Sequence, residues 1–180
     1  MEHGRPEKSW LLLMFIALFV IAACKNGEGQ NTNLTPPVSK TPTGNITEIT
    51  LERSACFGQC PAYRVILRQN RQATYIGEAY VPLIGTYEAA NDSCSDCNFA
   101  ELATSLEIQG FFELKEVYHE NLMDDSNITV SVIRNGEKKT VTSRDSRSPI
   151  ELWGIAMTID GFVSKIHKWN KVSSQRLSTQ

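Results

Sequence analysis

The 180-residue sequence predicts an α+β fold: an antiparallel sheet of about five to six strands with two helices packed on one face. Three observations predict it. Several short segments alternate apolar and polar residues, turn sequences join these segments into hairpins, and two longer segments carry apolar residues at helical spacing. Strands joined by tight turns pair antiparallel, so the predicted order of elements is β-β-β-(β)-α-β-β-α.

The first two predicted strands are defined by alternation. Apolar side chains recur from residue 46 to residue 51 and again from residue 63 to residue 68. In the second segment, Arg64 and Arg68 point away from the apolar side. We interpret them as charge that solubilises an exposed sheet face, with an acidic partner as the alternative.

A polar break then predicts a hairpin. Gln69–Gln72 contains Asn70, a residue that tolerates the left-handed conformation, so Ala73–Tyr80 is predicted as the returning strand. Val81–Tyr87 is predicted as a further strand at the sheet edge, because Pro82 has no N–H for a central ladder.

Helical spacing replaces alternation in the next segment. Phe99, Leu102, Ala103 and Leu106 follow the i, i+3, i+4, i+7 pattern of a buried helix face, and Gly110 lies where such a helix ends. Further core residues are expected directly after it: Phe111, Phe112 and Leu114.

A second hairpin follows. Asn127–Arg134 alternates, Asn135-Gly136 is a type I′ turn sequence, and Glu137–Ser143 is the expected partner strand.

The last helix is predicted to begin with Ser148 as N-cap, Pro149 at the first helical position and Glu151 at the third. Trp153 and Trp169 are interpreted as core or rim aromatic residues on this helix. Its predicted buried face comprises Leu152, Ala156, Ile159, Val163 and Ile166.

The N-terminus predicts export and lipidation. Trp10–Ala23 is an unbroken apolar run of 14 residues, whereas a membrane-spanning helix needs about 20. The run ends Ile21-Ala22-Ala23-Cys24, which resembles the lipobox of bacterial lipoproteins. That resemblance implies a signal peptide over 1–23 and acyl chains on Cys24, and Lys25 after the cysteine favours the outer membrane. An ordinary secretory peptide is the alternative.

The predicted domain organisation follows from composition. Residues 24–45 are rich in Gly, Asn, Thr and Pro and are predicted to be a flexible tether, followed by one domain over 46–171 and a disordered tail over 172–180. The net charge of −2 argues against a nucleic-acid-binding or polybasic membrane-surface protein.

The remaining cysteines form two close pairs, Cys56/Cys60 and Cys94/Cys97. In an exported protein such pairs most often form structural disulfides, and local pairing is favoured here because each pair brackets a turn. Four cysteines allow three connectivities, so the pairing stays open. A zinc site of four thiolates and thiol–disulfide exchange at Cys94 and Cys97 are the alternatives.

The segment Cys56-Phe-Gly-Gln-Cys60-Pro-Ala-Tyr63 resembles a bacterial family of domains of unknown function with the motif C-F-G-x-C-P-x-Y. The resemblance extends through Tyr75-Ile-Gly77, Gly110–Leu114 and the second hairpin. It implies an exported or lipid-anchored domain and no particular reaction.

No catalytic constellation emerges from the sequence. His119, Asp124 and Asp125 are interpreted as a solvated loop, and His167 as a charge at a helix C-terminus. We therefore expect no catalytic residue, metal or cofactor. The hypothesis is a non-enzymatic module of the cell envelope or periplasm, anchored in the membrane, that binds an envelope protein or polysaccharide. The alternative is an envelope thiol–disulfide oxidoreductase that uses Cys94 and Cys97.

Overall fold

The computed structural model describes residues 44–90, 93–118, 125–144 and 147–172. The predicted signal peptide, Cys24, the tether up to residue 43 and the tail from residue 173 lie outside these ranges. His119 and Asp124 lie outside them as well. Among the described residues, no helix is long and apolar enough to cross a membrane.

The described residues form one sheet of eight strands and two α-helices, so the α+β class is confirmed and the sheet is larger than predicted. The strands are β1 (Ile46–Arg53), β2 (Ala62–Arg68), β3 (Ala73–Ala79), β4 (Gly85–Ala89), β5 (Val117–Tyr118), β6 (Asn127–Arg134), β7 (Glu137–Arg144) and β8 (Asn170–Lys171). The helices are α1 (Phe99–Ile108) and α2 (Ile150–Ser164), and a 3-10 turn covers Phe111–Glu113.

The strand order is β5-β7-β6-β1-β2-β3-β4-β8. All neighbours pair antiparallel except β5, which runs parallel to β7. The two strands that the sequence did not predict, β5 and β8, have two residues each and lie at the two edges of the sheet. Two residues are too few to show an alternating pattern, and such a strand forms only where the edge of an existing sheet offers hydrogen bonds.

The core lies between one face of the sheet and both helices. The inward residues of β1, β2, β6 and β7 belong to one buried cluster with Phe99, Leu102, Ala103 and Leu106 of α1 and Leu152, Ile155, Ala156 and Ile159 of α2. On the opposite face Arg64 pairs with Glu52 at 2.7 Å and Arg68 with Glu48 at 3.3 Å. These carboxylates partly neutralise both arginines, so the prediction of a solvated face fits better than an acidic partner.

The two hairpin turns differ in how closely they follow their sequence signals. Asn135 and Gly136 have φ angles of 55° and 84°, as the predicted type I′ turn requires. In the first hairpin, however, the left-handed residue is Arg71 (φ 64°) and not Asn70. The Asn70 side chain instead accepts a hydrogen bond from the backbone N–H of Gln72 at 3.1 Å.

The last helix differs from its prediction at both ends. It begins at Ile150 with Pro149 as N-cap, and the Ser148 hydroxyl donates to the carbonyl of Arg144 at 2.9 Å instead of capping. It ends at Ser164, so Trp169 lies beyond the helix and packs against Tyr75, with ring centroids 5.7 Å apart. The chain leaves the helix because its last described residues pair with the edge strand β4.

The fourth strand also begins later than predicted, at Gly85 instead of Val81. The segment before it folds back over β3, where the carbonyl oxygen of Leu83 lies 1.8 Å from the position that a Cβ on Gly77 would occupy. Only glycine at residue 77 permits this approach.

Candidate functional site

The structure brings Cys94 and Cys97 to disulfide-bonding distance, with Cα atoms 5.5 Å apart. Cys94 is buried, and both cysteines belong to or pack against the hydrophobic core. The guanidinium of Arg71 donates to the carbonyl of Cys94 at 3.1 Å, which ties this loop to the β2–β3 turn. These contacts join the loop before α1 to the rest of the domain.

Cys97 directly precedes Asn98, the N-cap of α1. The Asn98 side chain accepts the N–H groups of Ala100 and Glu101 at 3.0 and 3.3 Å, so these helix donors do not point at a cysteine. The Cys97 sulfur instead faces the carbonyl oxygen of Phe162, 3.9 Å away. A negative carbonyl dipole beside the sulfur opposes thiolate formation.

Cys56 and Cys60 lie at disulfide-bonding distance as well, with Cα atoms 5.6 Å apart, and they close the loop between β1 and β2. Neither belongs to the buried core. Between them Phe57 is 94% exposed, and Gly58 and Gln59 are also exposed. The backbone N–H of Gly58 donates to the Cys56 sulfur at 3.2 Å.

The two cysteine pairs lie at opposite ends of the sheet. Cys56 and Cys60 follow the end of β1, which we call the distal end, whereas Cys94 contacts Arg71 near the start of β1, which we call the entry end. With a rise of about 3.3 Å per residue, β1 separates these ends by roughly 23 Å. The four cysteines therefore do not form the common cluster that a zinc site would need.

The distal end also carries other exposed apolar side chains. The loop between β3 and β4 is at this end because β3 runs antiparallel to β2, and it exposes Tyr80 and Ile84. The chain enters the sheet at the entry end, through Asn45, whose backbone N–H donates to the Asn135 side chain at 2.8 Å. Phe57, Tyr80 and Ile84 thus lie at the end of the sheet opposite to Asn45.

A polar network that sequence analysis missed joins α2 to the sheet. Arg53 donates to Asp160 at 2.9 Å and to the Tyr63 hydroxyl at 3.0 Å, and the Tyr63 hydroxyl donates to Asp160. The pKa of Tyr63 is raised, chiefly by burial and to a smaller extent by the hydrogen bond to Asp160 and by the negative charge of that residue. Arg53 and Tyr63 are register partners on β1 and β2, so a correct strand alignment would have placed them side by side.

Aromatic rings extend this network. Tyr63 stacks on Tyr75 with ring centroids 5.6 Å apart, and Tyr75 contacts Trp169. Burial, and then the Asp160 charge, also raises the pKa of Tyr75. The hydroxyl of Tyr63 is engaged on both sides by Arg53 and Asp160, so the cluster is built to hold α2 in place.

The entry end contains a groove of about 450 Å³ between the start of β1 and the N-terminus of α1. Arg71, Cys97, Asn98 and Phe99 contribute to its walls. No group of three or more His, Cys, Asp or Glu side chains that could hold a metal occurs among the described residues. His167 lies past the end of α2, where its backbone N–H donates to the carbonyl of Ser93 at 3.2 Å.

Fold and cysteine geometry define an α+β domain with two short disulfide-closed loops, one with a cysteine buried in the core and one with neither cysteine buried. The chain belongs to a family of domains of unknown function, DUF6438, whose model matches residues 47–163. The match runs from β1 into α2 and so includes both cysteine pairs. No curated protein and no solved structure matches the chain.

Proposed function

We propose that this protein is a non-enzymatic, lipid-anchored component of the bacterial cell envelope that binds another envelope protein or a polysaccharide. The lipobox-like run before Cys24 supports the anchor, and Lys25 supports an outer-membrane location. Several acyl chains on one cysteine anchor stably, because each buried methylene contributes about 0.8 kcal/mol.

The binding proposal rests on the exposure of Phe57 in the loop closed by Cys56 and Cys60. Phe57 is 94% exposed and lies in a loop closed by a disulfide, which restricts the backbone of the loop and so lowers the entropy cost of binding through it. Phe57 lies at the distal end, away from Asn45, through which the tether enters.

Site-specific crosslinking tests the binding proposal. A photoreactive residue replaces Phe57 in the full chain expressed in its own envelope, and the matched control carries it at Glu137, an exposed residue at the entry end. We expect one discrete adduct from position 57 and none from position 137, and Phe57→Ala should weaken recovery of that partner at least tenfold. Equal labelling from both positions, or recovery unaffected by Phe57→Ala, would contradict it.

Lipidation is tested separately with Cys24→Ser. The chain that keeps Cys24 should incorporate an alkyne-palmitate label and partition into the detergent phase. The variant should lose both properties, whereas Cys97→Ser, a control at another cysteine, should keep them. A Cys24→Ser chain that still partitions into detergent would remove the anchor from the proposal.

The second candidate is a thiol–disulfide oxidoreductase that uses Cys94 and Cys97. The groove beside Cys97 favours it, since a substrate segment could lie there. The burial of Cys94 and the carbonyl of Phe162 disfavour it. A glutathione redox series distinguishes the two, because structural disulfides titrate below about −300 mV and dedicated exchangers between about −230 and −120 mV. Exchange activity on insulin that disappears in Cys97→Ser would support this candidate.

A further inference from the structure

The geometry points to Cys56–Cys60, and not Cys94–Cys97, as the cysteine pair that exchanges with the dithiol of a partner protein. This inference does not rest on the proposed binding function, and it concerns a pair for which the sequence suggested a structural disulfide or, as the alternative, part of a zinc site.

Accessibility is the first step of the argument. An incoming thiolate must approach a sulfur along the S–S axis, and this needs free space beside the disulfide. The three residues inside the Cys56–Cys60 loop are all exposed, and neither cysteine takes part in the core. Cys94 is 6% exposed and is covered by core side chains. Ser95 and Asp96 inside the second loop are exposed as well and Cys97 is half-buried, so the two pairs differ in Cys94. Cys56–Cys60 is the pair in which neither cysteine is buried.

The second step concerns the leaving group. The backbone N–H of Gly58 donates to the Cys56 sulfur at 3.2 Å. A hydrogen bond to a sulfur favours its anionic form, so Cys56 leaves more readily than Cys60. Cys97, in contrast, faces a carbonyl oxygen. The polarity beside the sulfur therefore favours exchange at the first pair and opposes it at the second.

The exchange then proceeds in two displacements. A thiolate of the partner attacks the sulfur of Cys60, the Cys56–Cys60 bond breaks, and its electron pair leaves on Cys56. The second thiolate of the partner attacks the partner's sulfur in the mixed disulfide and expels Cys60 as a thiolate. The two protons that the partner's thiols release to water are balanced by those that Cys56 and Cys60 take up. The partner dithiol is oxidised by two electrons, and the Cys56–Cys60 disulfide is reduced by two.

The test follows both disulfides in the oxidised full-length protein in detergent. Reduced glutathione is added, samples are alkylated over time, and tryptic peptides are read by mass spectrometry. Arg53 and Arg64 release the first pair in one peptide, separate from Cys94 and Cys97. We expect Cys56–Cys60 to open at least tenfold faster, with the glutathione adduct on Cys60. Faster opening of Cys94–Cys97, opening of both pairs only in denaturant, or an adduct mainly on Cys56 would overturn the inference.

Two variants of Gly58 test the leaving-group argument. Gly58→Ala keeps the N–H, and its Cβ would meet only the Cys56 sulfur at 3.7 Å, an ordinary contact. Gly58→Pro removes the N–H. We expect the Cys56–Cys60 disulfide to open in Gly58→Ala at the rate of the original protein and in Gly58→Pro about tenfold more slowly. The opening rate of Cys94–Cys97 should be the same in both variants, which checks that they fold. Equal rates in the two variants would show that the hydrogen bond has no part in the exchange.

A dithiol peptide with a Cys-Gly-Gly-Cys sequence measures the complete reaction. Each chain should oxidise one equivalent of peptide, and Cys97→Ser should not change this yield, whereas Cys60→Ser should abolish it. Loss of the yield in Cys97→Ser with retention in Cys60→Ser would assign exchange to the other pair. Crosslinking at Phe57 is independent of this yield, so the binding proposal and the exchange inference can fail separately.

Discussion

The hydroxyl of Tyr63 on β2 donates a hydrogen bond to the carboxylate of Asp160 on α2. Arg53 on β1 contacts both groups, with side-chain exposures of 14% for Arg53 and 27% for Asp160. The network connects two strands to the helix that covers them, so it should contribute directly to the stability of the sheet–helix interface.

We predict that Asp160→Asn destabilises the domain by about 2–3 kcal/mol, because it removes the carboxylate charge that lies 2.9 Å from the largely buried guanidinium of Arg53. Glu52→Gln is the matched control, since the Glu52–Arg64 pair is more than 40% exposed on both sides and should contribute less than about 1 kcal/mol. Urea unfolding followed by far-ultraviolet circular dichroism measures both. Equal losses in the two variants would contradict the structural role given to Asp160.

Alkaline pH should weaken the domain through Tyr63. The pKa of Tyr63 is raised in the folded state, whereas in the unfolded chain a tyrosine titrates near pH 10, so the unfolded state ionises first. The stability that this group contributes is therefore complete below about pH 10 and falls as the pH rises through the folded pKa, by at most about 1.4 kcal/mol per pH unit.

Urea unfolding of the unmodified protein and Tyr63→Phe between pH 8 and 11.5 measures this effect. The phenylalanine variant should start less stable by about 2 kcal/mol, because the hydrogen bonds of the hydroxyl with Arg53 and with Asp160 are both lost, and should then show a shallower alkaline slope. Tyr80→Phe, at an exposed tyrosine, controls for the loss of a hydroxyl. Parallel slopes for the protein and for Tyr63→Phe would show that Tyr63 does not ionise with unfolding.

Gly77→Ala should destabilise the domain by about 1–3 kcal/mol. The new Cβ would lie 1.8 Å from the carbonyl oxygen of Leu83, a backbone atom that cannot move unless the loop before β4 moves too. We expect a lower denaturation midpoint and increased cleavage of residues 80–84 by proteases. A variant with the original midpoint and protease pattern would mean that the loop relaxes without cost.

Gly161→Ala, in contrast, should stabilise the domain. Residue 161 lies inside α2, and a Cβ there would meet nothing within 4 Å. Alanine in a helix interior is more favourable than glycine by about 0.5–1 kcal/mol, so the midpoint of thermal unfolding should rise. A lower midpoint would indicate that the open space at residue 161 is occupied in the folded protein.

Much of the fold could be predicted because its signals are local. Phe99, Leu102, Ala103 and Leu106 are buried together because residues three and four apart share one face of a helix, whatever covers it. Gly110 adopts a left-handed conformation (φ 79°) just after α1, as expected of a residue that ends a helix.

Partners distant in the sequence could not be predicted in this way. β1 pairs with β2, its neighbour in sequence, but also with β6, where Arg53 lies opposite Ile128. The sequence places the acidic residue Asp160 on α2, but the strand residues that it contacts depend on how the helix crosses the sheet. The end of α2 was misplaced for the same reason, because the edge of β4 offers hydrogen bonds that no helical pattern reveals.

The sequence by itself determined the α+β class, the buried faces of α1 and of the central strands, and the turn at Asn135-Gly136, because each depends on interactions within a few residues. Only the tertiary structure decided which cysteine pair packs into the hydrophobic core. Cys56/Cys60 and Cys94/Cys97 are both closely spaced pairs, but strand order places the first in an exposed loop at the distal end, whereas Cys94 joins the core and Cys97 faces a carbonyl of α2. The burial of a residue depends on all the segments that pack around it, and most of these are distant in the sequence.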